Sequence, residues 1–124
     1  MNLFQLGNYT LHSGAKSDWK IECDVLGTGD WEALAKMASE ILSPFGKVSG
    51  VPRGGLAFAK ALEKYITPGD KGILIAEDIV TTGGSMVNHV LSNFPDDFSY
   101  IKGIAVFCRG KKPYWVKSLF TMGN

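Results

Sequence analysis

Two acidic residues and a run of hydroxyl and glycine residues lie close together in the chain. Glu77 and Asp78 are adjacent carboxylates, and the sequence from Thr81 to Ser85 is Thr-Thr-Gly-Gly-Ser. Backbone N–H groups beside glycines can approach a phosphate closely, and the hydroxyls add further donors. Carboxylates accept hydrogen bonds from sugar hydroxyls. The spacing suits a ligand that carries both phosphate and hydroxyl groups, as a sugar phosphate does. A purely structural turn is the alternative, because a strand, an acidic turn and a glycine-containing helix start also occur in α/β folds with no ligand.

A second glycine-rich turn lies earlier in the chain, at Val51, Pro52, Arg53, Gly54 and Gly55. Paired glycines allow the backbone conformations that close contact with a phosphate needs, and a guanidinium donates charge-assisted hydrogen bonds. Taken alone, such a turn is more often structural, because strand–turn–helix units without a ligand are common. The residues therefore leave both interpretations open for this turn.

Each turn lies between an apolar segment and a helical pattern. Ile73–Ala76 is an unbroken apolar run, typical of a strand buried on both faces, and Ser85–Phe94 has helical spacing. Lys47–Val51 and Leu56–Tyr65 flank the second turn in the same order. Open parallel sheets bind ligands at the carboxyl ends of their strands, so both turns are expected at one edge of one sheet.

The remaining segments continue the alternation of strands and helices. Asp30–Leu42 is predicted to be a helix with Asp30 as its N-cap, since apolar residues recur there at helical spacing. Tyr100–Cys108 and Tyr114–Thr121 are predicted strands. The pattern predicts an α/β fold with a mostly parallel sheet flanked by helices.

Composition limits the class of protein. A length of 124 residues predicts a single domain, residues 1–124, and 45% hydrophobic with 20% charged residues is ordinary for a globular protein. The net charge of +1 indicates no general nucleic-acid or membrane surface, so an anion site must be local. Cys23 and Cys108 fit no metal spacing and are expected to be buried thiols. With no leader pattern or spanning segment, a cytoplasmic protein is expected.

The stretch Ile73–Ser85 resembles the phosphoribosyl-diphosphate (PRPP) signature of type I phosphoribosyltransferases, which is an apolar strand, two acidic residues and a Thr-Thr-Gly loop. The resemblance implies that Glu77 and Asp78 hold the ribose hydroxyls and that Asp78 also takes part in catalysis. The 5′-phosphate would be bound by the following loop, at Thr81, Thr82, Gly83, Gly84 and Ser85. Val51–Gly55 is similar to the loop of these enzymes that receives the diphosphate.

The N-terminal part is predicted to form a hairpin, with strands at Tyr9–Leu11 and Lys20–Asp24 around a turn-rich joint at 13–18. On composition alone, a plain surface loop explains this joint. Leu11–Trp19 nevertheless resembles the N-terminal signature of orotate phosphoribosyltransferases, which forms part of a hood over the base. The resemblance implies that Lys16 faces the base and is a catalytic residue.

A basic cluster, Arg109-Gly110-Lys111-Lys112, follows the predicted strand that ends at Cys108. A solvated loop is one interpretation of this cluster. In orotate phosphoribosyltransferases an Asp-Arg pair follows the corresponding strand, and its arginine contacts the carboxylated base. Arg109 matches that arginine and is implied to bind the base, whereas Cys108 stands where the family has aspartate. His89, within a predicted helix, is expected to be partly exposed and to have no catalytic role.

The resemblance implies a minimal type I phosphoribosyltransferase that is similar to the orotate enzyme. It would transfer ribose 5-phosphate from PRPP to a pyrimidine-type base, with orotate the expected base, and release diphosphate. Mg²⁺ is the expected cofactor, bound through the substrate's own diphosphate and hydroxyls rather than by direct protein ligands. The expected partners are PRPP, a small base and a second copy of the chain in a homodimer, without nucleic acid or membrane.

The connection before the central strand is short. In orotate phosphoribosyltransferases an extra strand and a mobile loop with a catalytic lysine follow the diphosphate-loop helix. Here only Thr67–Lys71 separates the predicted helix from the strand. A non-catalytic PRPP- or nucleotide-binding regulatory module is therefore an alternative function, and a structural relic that no longer binds PRPP is a third.

Overall fold

The computed structural model describes residues 2–11 and 14–122. The strands and helices are β1 (Phe4–Thr10), β2 (Lys16–Ile21), α1 (Thr28–Ser39), β3 (Lys47–Gly50), α2 (Leu56–Leu62), β4 (Ile73–Val80), α3 (Gly84–Asn93), β5 (Ile101–Arg109) and β6 (Val116–Met122). Short 3-10 turns occur at Cys23–Val25, Glu63–Tyr65 and Phe98–Tyr100. Within these described residues, no helix combines the length and the apolar character needed to cross a membrane.

The four strands β3, β4, β5 and β6 form one sheet in that order, and every neighbouring pair is parallel. The register aligns Lys47 with Ile73, and Ile73 with Ile101. Because all four strands run the same way, their carboxyl ends meet at one edge. The predicted parallel sheet is confirmed, and β1 and β2 form a separate antiparallel hairpin.

Helices cover both faces of the sheet, as predicted. On one face α1 and α2 pack against the sheet, with Trp31 and Phe58 in contact and Leu74 buried beneath them. On the other face Met86 and Val90 of α3 pack in a second buried cluster with Ile73 and Ile75 of β4. The alternate residues of β4 therefore serve opposite faces, which explains its continuous apolar sequence.

The first helix begins earlier than its sequence predicts. Thr28 is the first helical residue and Gly27 is the N-cap. Asp30 lies within the first turn, where its carboxylate Oδ2 accepts a hydrogen bond from the Gly27 backbone N–H at 2.9 Å. The prediction of Asp30 as N-cap was wrong, because this acid caps the free N–H from inside the helix. The helix ends at Ser39 rather than Leu42.

The N-terminal hairpin is longer and its joint shorter than predicted. Thr10 pairs with Lys16 and Tyr9 with Ser17, so residues 16–18, which were predicted to belong to the joint, are part of β2. Leu11 closes the turn by donating its N–H to the Ala15 carbonyl at 2.9 Å. The predicted strand at Lys20–Asp24 was wrong beyond residue 21, where a 3-10 turn follows. His12 and Ser13 of the predicted joint and hood signature lie outside the described residues.

Candidate functional site

A cavity of about 1080 Å³ lies between the hairpin and the carboxyl edge of the sheet. It brings together four of the sequence-predicted site residues, Lys16, Thr81, Thr82 and Arg109. The hairpin contributes the segments on either side of its turn, and the ends of β4 and β5 contribute the rest. The cavity is therefore built from three segments that are distant in sequence, and its place at the strands' carboxyl ends is where open parallel sheets bind ligands.

Arg109, the last residue of β5, joins the sheet to the hairpin. It is only 7% exposed, and its Nη1 donates a hydrogen bond to the Trp19 carbonyl at 2.9 Å. Its Nη2 donates to the Ser17 hydroxyl, and the guanidinium carbon lies 3.2 Å from the centre of the Trp19 ring. A guanidinium stacked on an aromatic ring and bonded on its edge is held in one orientation. Arg109 thus fixes the hairpin over the cavity as well as lining it.

Lys16 lies at the start of β2 with its side chain exposed. Its Nζ donates a hydrogen bond to the Thr10 hydroxyl of β1 at 2.7 Å. This bond joins the two strands at the turn end of the hairpin, where Thr10 and Lys16 are paired, and leaves the ammonium two further donors. The structure therefore places a cation on the hairpin wall of the cavity, in the same space as Arg109.

The turn between β4 and α3, which holds the predicted 5′-phosphate residues, contains a glycine in a left-handed conformation. Gly83 is the N-cap of α3 with φ of +87°, a left-handed conformation that glycine adopts without strain. Thr82 Oγ1 accepts a long hydrogen bond of 3.4 Å from the Gly84 N–H. Gly83 is buried because the ring of Pro113 lies against it. The loop after β5 therefore supports this turn from outside.

The turn between β3 and α2 is fixed by backbone hydrogen bonds. The Val51 N–H donates to the Ala76 carbonyl of β4 at 2.9 Å, and the Gly55 N–H donates to the Val51 carbonyl at 2.8 Å. The Pro52–Arg53 peptide is cis, and the Arg53 side chain is exposed. None of the residues 51–55 lines the cavity around Arg109. The two glycine-rich turns are thus at one edge of the sheet, as predicted, and of the two only the β4–α3 turn, through Thr81 and Thr82, lines this cavity.

Gly54 of the β3–α2 turn lies against Asp78 of the central strand, β4. A Cβ atom at Gly54 would lie 2.5 Å from the carboxyl carbon of Asp78, closer than side chains approach. A side chain at residue 54 would therefore displace the Asp78 carboxylate from its present position. Asp78 is half-buried, and its Oδ1 accepts a hydrogen bond from the Ile79 N–H at 2.7 Å.

Glu77 differs from Asp78 in its surroundings. Its side chain is buried, with 7% of the residue exposed. Burial, together with the adjacent Asp78 carboxylate, raises the pKa of Glu77 to about 9. Glu77 is therefore neutral at pH 7 and adds no negative charge beside Asp78. Of the two predicted ribose-binding acids, the structure leaves Asp78 the more accessible.

The cysteines and His89 lie where the sequence predicts. Cys23 and Cys108 are both buried free thiols. Burial and the nearby Asp78 raise the pKa of the Cys23 thiol to about 12, so it stays protonated. His89 is half-buried in α3, and its Nε2 shares a 2.8 Å hydrogen bond with the Ser49 hydroxyl of β3. This bond joins the helix to the edge strand.

Three features of the site have no counterpart in the sequence-based expectations. Ser17 and Trp19 hold Arg109, Pro113 supports Gly83, and Lys111 lines the cavity beside Thr81 and Thr82. The basic cluster at 109–112 was a signal for Lys111, although a solvated loop explains it equally well. The other two contacts join residues far apart in sequence, and local patterns carry no information about them.

Among residues 2–11 and 14–122, no group of three or more His, Cys, Asp and Glu side chains could hold a metal ion.

No protein-family model matches the sequence, and no curated protein matches it. Solved structures do match the fold. Orotate phosphoribosyltransferase from Aeropyrum pernix is 19% identical with a TM-score of 0.76, and the match covers 97% of this chain and 88% of that one. The Mycobacterium tuberculosis H37Rv enzyme of the same name is 17% identical with a TM-score of 0.73, covering 97% and 90%.

UMP synthase from Leishmania donovani is 18% identical with a TM-score of 0.74, covering 97% of this chain. The chain spans only about a third of that protein, 34% of its length. These likenesses show the fold, and they confirm the prediction of a type I phosphoribosyltransferase-like α/β architecture.

Proposed function

We propose that this chain, which has the type I phosphoribosyltransferase fold, transfers ribose 5-phosphate from PRPP to a pyrimidine-type base and releases diphosphate. The observation that carries the proposal is the cavity that gathers Lys16, the Thr81–Thr82 turn and Arg109 at the carboxyl edge of the sheet. The fold it shares with orotate phosphoribosyltransferases makes orotate the first base to test.

The proposal assigns each part of PRPP to one part of the site. The turn from Thr81 to Ser85 would bind the 5′-phosphate through backbone N–H groups and hydroxyls. Asp78 would accept hydrogen bonds from the ribose hydroxyls, and neutral Glu77 would support it from the interior. The turn at Val51–Gly55 would receive the diphosphate, with the exposed Arg53 as a cationic donor. The base would lie under the hairpin beside Lys16 and Arg109.

The reaction replaces one bond to C1 of the ribose. A ring nitrogen of the base, after its proton has passed to solvent, forms the new bond to C1 while the C1–oxygen bond to the diphosphate breaks, and the electron pair leaves with the diphosphate. Lys16 and Arg109 would hold an acidic base in position, since both are cations in the cavity. Mg²⁺ suits this donor set as an ion that PRPP carries through its own oxygens, where it would neutralise the leaving diphosphate. A homodimer and a cytoplasmic location belong to the same proposal.

The direct test is a turnover assay with PRPP, Mg²⁺ and orotate, followed by the appearance of orotidine 5′-phosphate. Uracil, hypoxanthine and guanine as alternative bases would define the acceptor. Asp78→Asn is expected to lower kcat/KM by about a hundredfold, because it removes a charged acceptor from the ribose hydroxyls. Glu32→Gln, an exposed change on α1, serves as the matched control. Failure of the wild-type protein to bind PRPP at all would overturn the proposal.

One observation favours a second candidate, a non-catalytic module that binds PRPP or a nucleotide. Residues 66–72 alone connect the 3-10 turn after α2 to β4, so no lid arises at this point of the fold. A closing lid excludes water and adds cationic donors to the leaving group. Losing one such donor commonly costs about 3 kcal/mol, or a hundredfold or more in rate. Calorimetric PRPP binding without turnover on any of the four bases would favour this module over the enzyme.

A further inference from the structure

We propose that Lys111 binds the phosphoryl group held by the Thr81–Ser85 turn, and so supplies a cation that this turn itself lacks. The inference rests on the proposed function, because it takes a phosphorylated ribose as the ligand. It concerns a residue of the loop 110–115, which connects β5 to β6.

The loop that carries Lys111 is fixed against the phosphate turn. The Pro113 ring lies so close to Gly83 that a Cβ atom there would be 2.6 Å from Pro113 Cδ. The Pro113 carbonyl also accepts a hydrogen bond from the Val116 N–H of β6 at 3.1 Å, which anchors the loop to the sheet. Lys111 therefore extends from a segment that is held on both sides, and it lines the same cavity as Thr81 and Thr82.

Other protein groups leave the ammonium of Lys111 available. The ion pairs among residues 2–11 and 14–122 are Lys20–Glu22 and Lys36–Glu40, and neither involves Lys111. Arg109 is engaged with Ser17 and Trp19 of the hairpin. The Lys111 side chain is exposed, so it can reach a ligand without first breaking a protein contact.

The chemistry of Arg109 and Lys111 suits the two cations to different groups of the ligands. A guanidinium with a fixed planar orientation suits a base carboxylate, and Arg109 is fixed in this way. A lysine ammonium is a compact charge on a flexible stem and suits a tetrahedral phosphoryl group, whose oxygens accept from several directions. The Thr81–Ser85 turn offers neutral donors only, so Lys111 would compensate the charge of the phosphate bound there.

Titration calorimetry with ribose 5-phosphate, with PRPP and Mg²⁺, and with orotate tests the inference. Ribose 5-phosphate shares only the ribose and the 5′-phosphate with PRPP. Lys111→Ala is expected to weaken the binding of both phosphorylated ligands by roughly tenfold, with the orotate titration unchanged. Lys111→Arg is expected to retain most of the affinity. Lys112→Ala is the matched control, because the adjacent lysine has the same charge but does not line the cavity.

Three results would overturn the inference while the proposed function stands: unchanged binding by Lys111→Ala, an equal loss in Lys112→Ala, or a loss for PRPP without a loss for ribose 5-phosphate. The last result would place Lys111 at the diphosphate. A wild-type protein that binds neither phosphorylated ligand would overturn the proposed function and this inference together. Lys111→Gln provides a second neutral variant should Lys111→Ala not fold.

Discussion

The two glycine-rich turns at the carboxyl edge of the sheet have the same local architecture and opposite surroundings. The β3–α2 turn, Val51–Gly55, passes directly over the Asp78 carboxylate at Gly54. The β4–α3 turn, Thr81–Ser85, lies against Pro113 and shares its cavity with Lys16 and Lys111. The β3–α2 turn therefore lies against an acid, whereas the β4–α3 turn shares its cavity with the cations Lys16, Arg109 and Lys111 and with the acid Asp18.

This difference assigns different requirements to the two turns. An anion at the β4–α3 turn meets compensating positive charge from the protein itself. An anion at the β3–α2 turn meets the repulsion of Asp78, which the exposed Arg53 of the same turn opposes. Binding of a diphosphate there should depend on a divalent cation, and binding of a monophosphate at the other turn should not. Under the proposed function, this difference in charge would direct the two ends of PRPP to different turns.

The largest expected effect concerns the packing of the β4–α3 turn. Gly83→Ala places a Cβ at a residue with φ of +87° and against the Pro113 ring. We expect the free energy of unfolding to fall by roughly 3 kcal/mol, the sum of backbone strain and displacement of the β5–β6 loop. Urea unfolding followed by circular dichroism measures this change.

Gly69→Ala separates the two contributions. Gly69 has a similar φ of +85°, but nothing lies within 4 Å of the position of its Cβ. The control should therefore lose only the backbone contribution, about 1 kcal/mol. Equal losses in the two variants would show that Pro113 does not stabilise the β4–α3 turn. The proposed difference in packing between the two turns would then be wrong.

The second prediction concerns the affinity for PRPP in the absence of Mg²⁺. With EDTA in place of Mg²⁺, the affinity for PRPP should fall by about a hundredfold, since the diphosphate then lies unscreened beside Asp78. The affinity for ribose 5-phosphate should change little, because its phosphate occupies the cationic turn. Calorimetry with both ligands, with and without the metal, gives the four values required.

Equal dependence on Mg²⁺ for both ligands would remove the proposed contrast between the turns. Asp78→Asn tests the cause of this dependence on Mg²⁺. It removes the negative charge at the β3–α2 turn and leaves the cations near the β4–α3 turn unchanged. In that variant the affinity for PRPP should depend less on Mg²⁺ than in the wild type, whatever its absolute value.

Much of the fold follows from local patterns in the sequence. The apolar run of β4 and the helical spacing of α3 are strong signals, and the structure confirms both the parallel sheet and the helices on its two faces. The ends of elements were predicted less well. Asp30 acts from within the first turn of α1 rather than from its N-cap, and the side chain is suited to either position.

The site is less predictable, because its decisive contacts join distant segments. The sequence places Arg109 at the end of a strand, but only the folded chain shows the bond of its guanidinium to the Trp19 carbonyl. The sequence likewise presents Glu77 and Asp78 as equivalent carboxylates. Burial separates them, since Glu77 lies inside the sheet and Asp78 lies beside Gly54.

The smallest expected effect concerns Glu77, the buried acid next to Asp78, and the dependence of the free energy of unfolding on pH. The pKa of Glu77 is raised to about 9 in the folded chain by burial and by Asp78, against an ordinary value of 4.5. The folded state therefore holds a proton that the unfolded state releases between these values. Below pH 4.5 both states are protonated and the stabilisation is fully present. As pH rises toward 9 it is lost, by up to about 1.4 kcal/mol per pH unit.

Glu77→Gln removes this titration while keeping a neutral side chain of similar shape. The free energy of unfolding of the variant relative to wild type should therefore rise by roughly 2 kcal/mol between pH 5 and pH 6.5. Glu32→Gln at an exposed position of α1 controls for replacing a glutamate as such. A difference that stays constant with pH would mean that Glu77 is ionised in the folded protein. The β3–α2 turn would then face two negative charges, and its requirement for a divalent cation would be stronger than a single acid predicts.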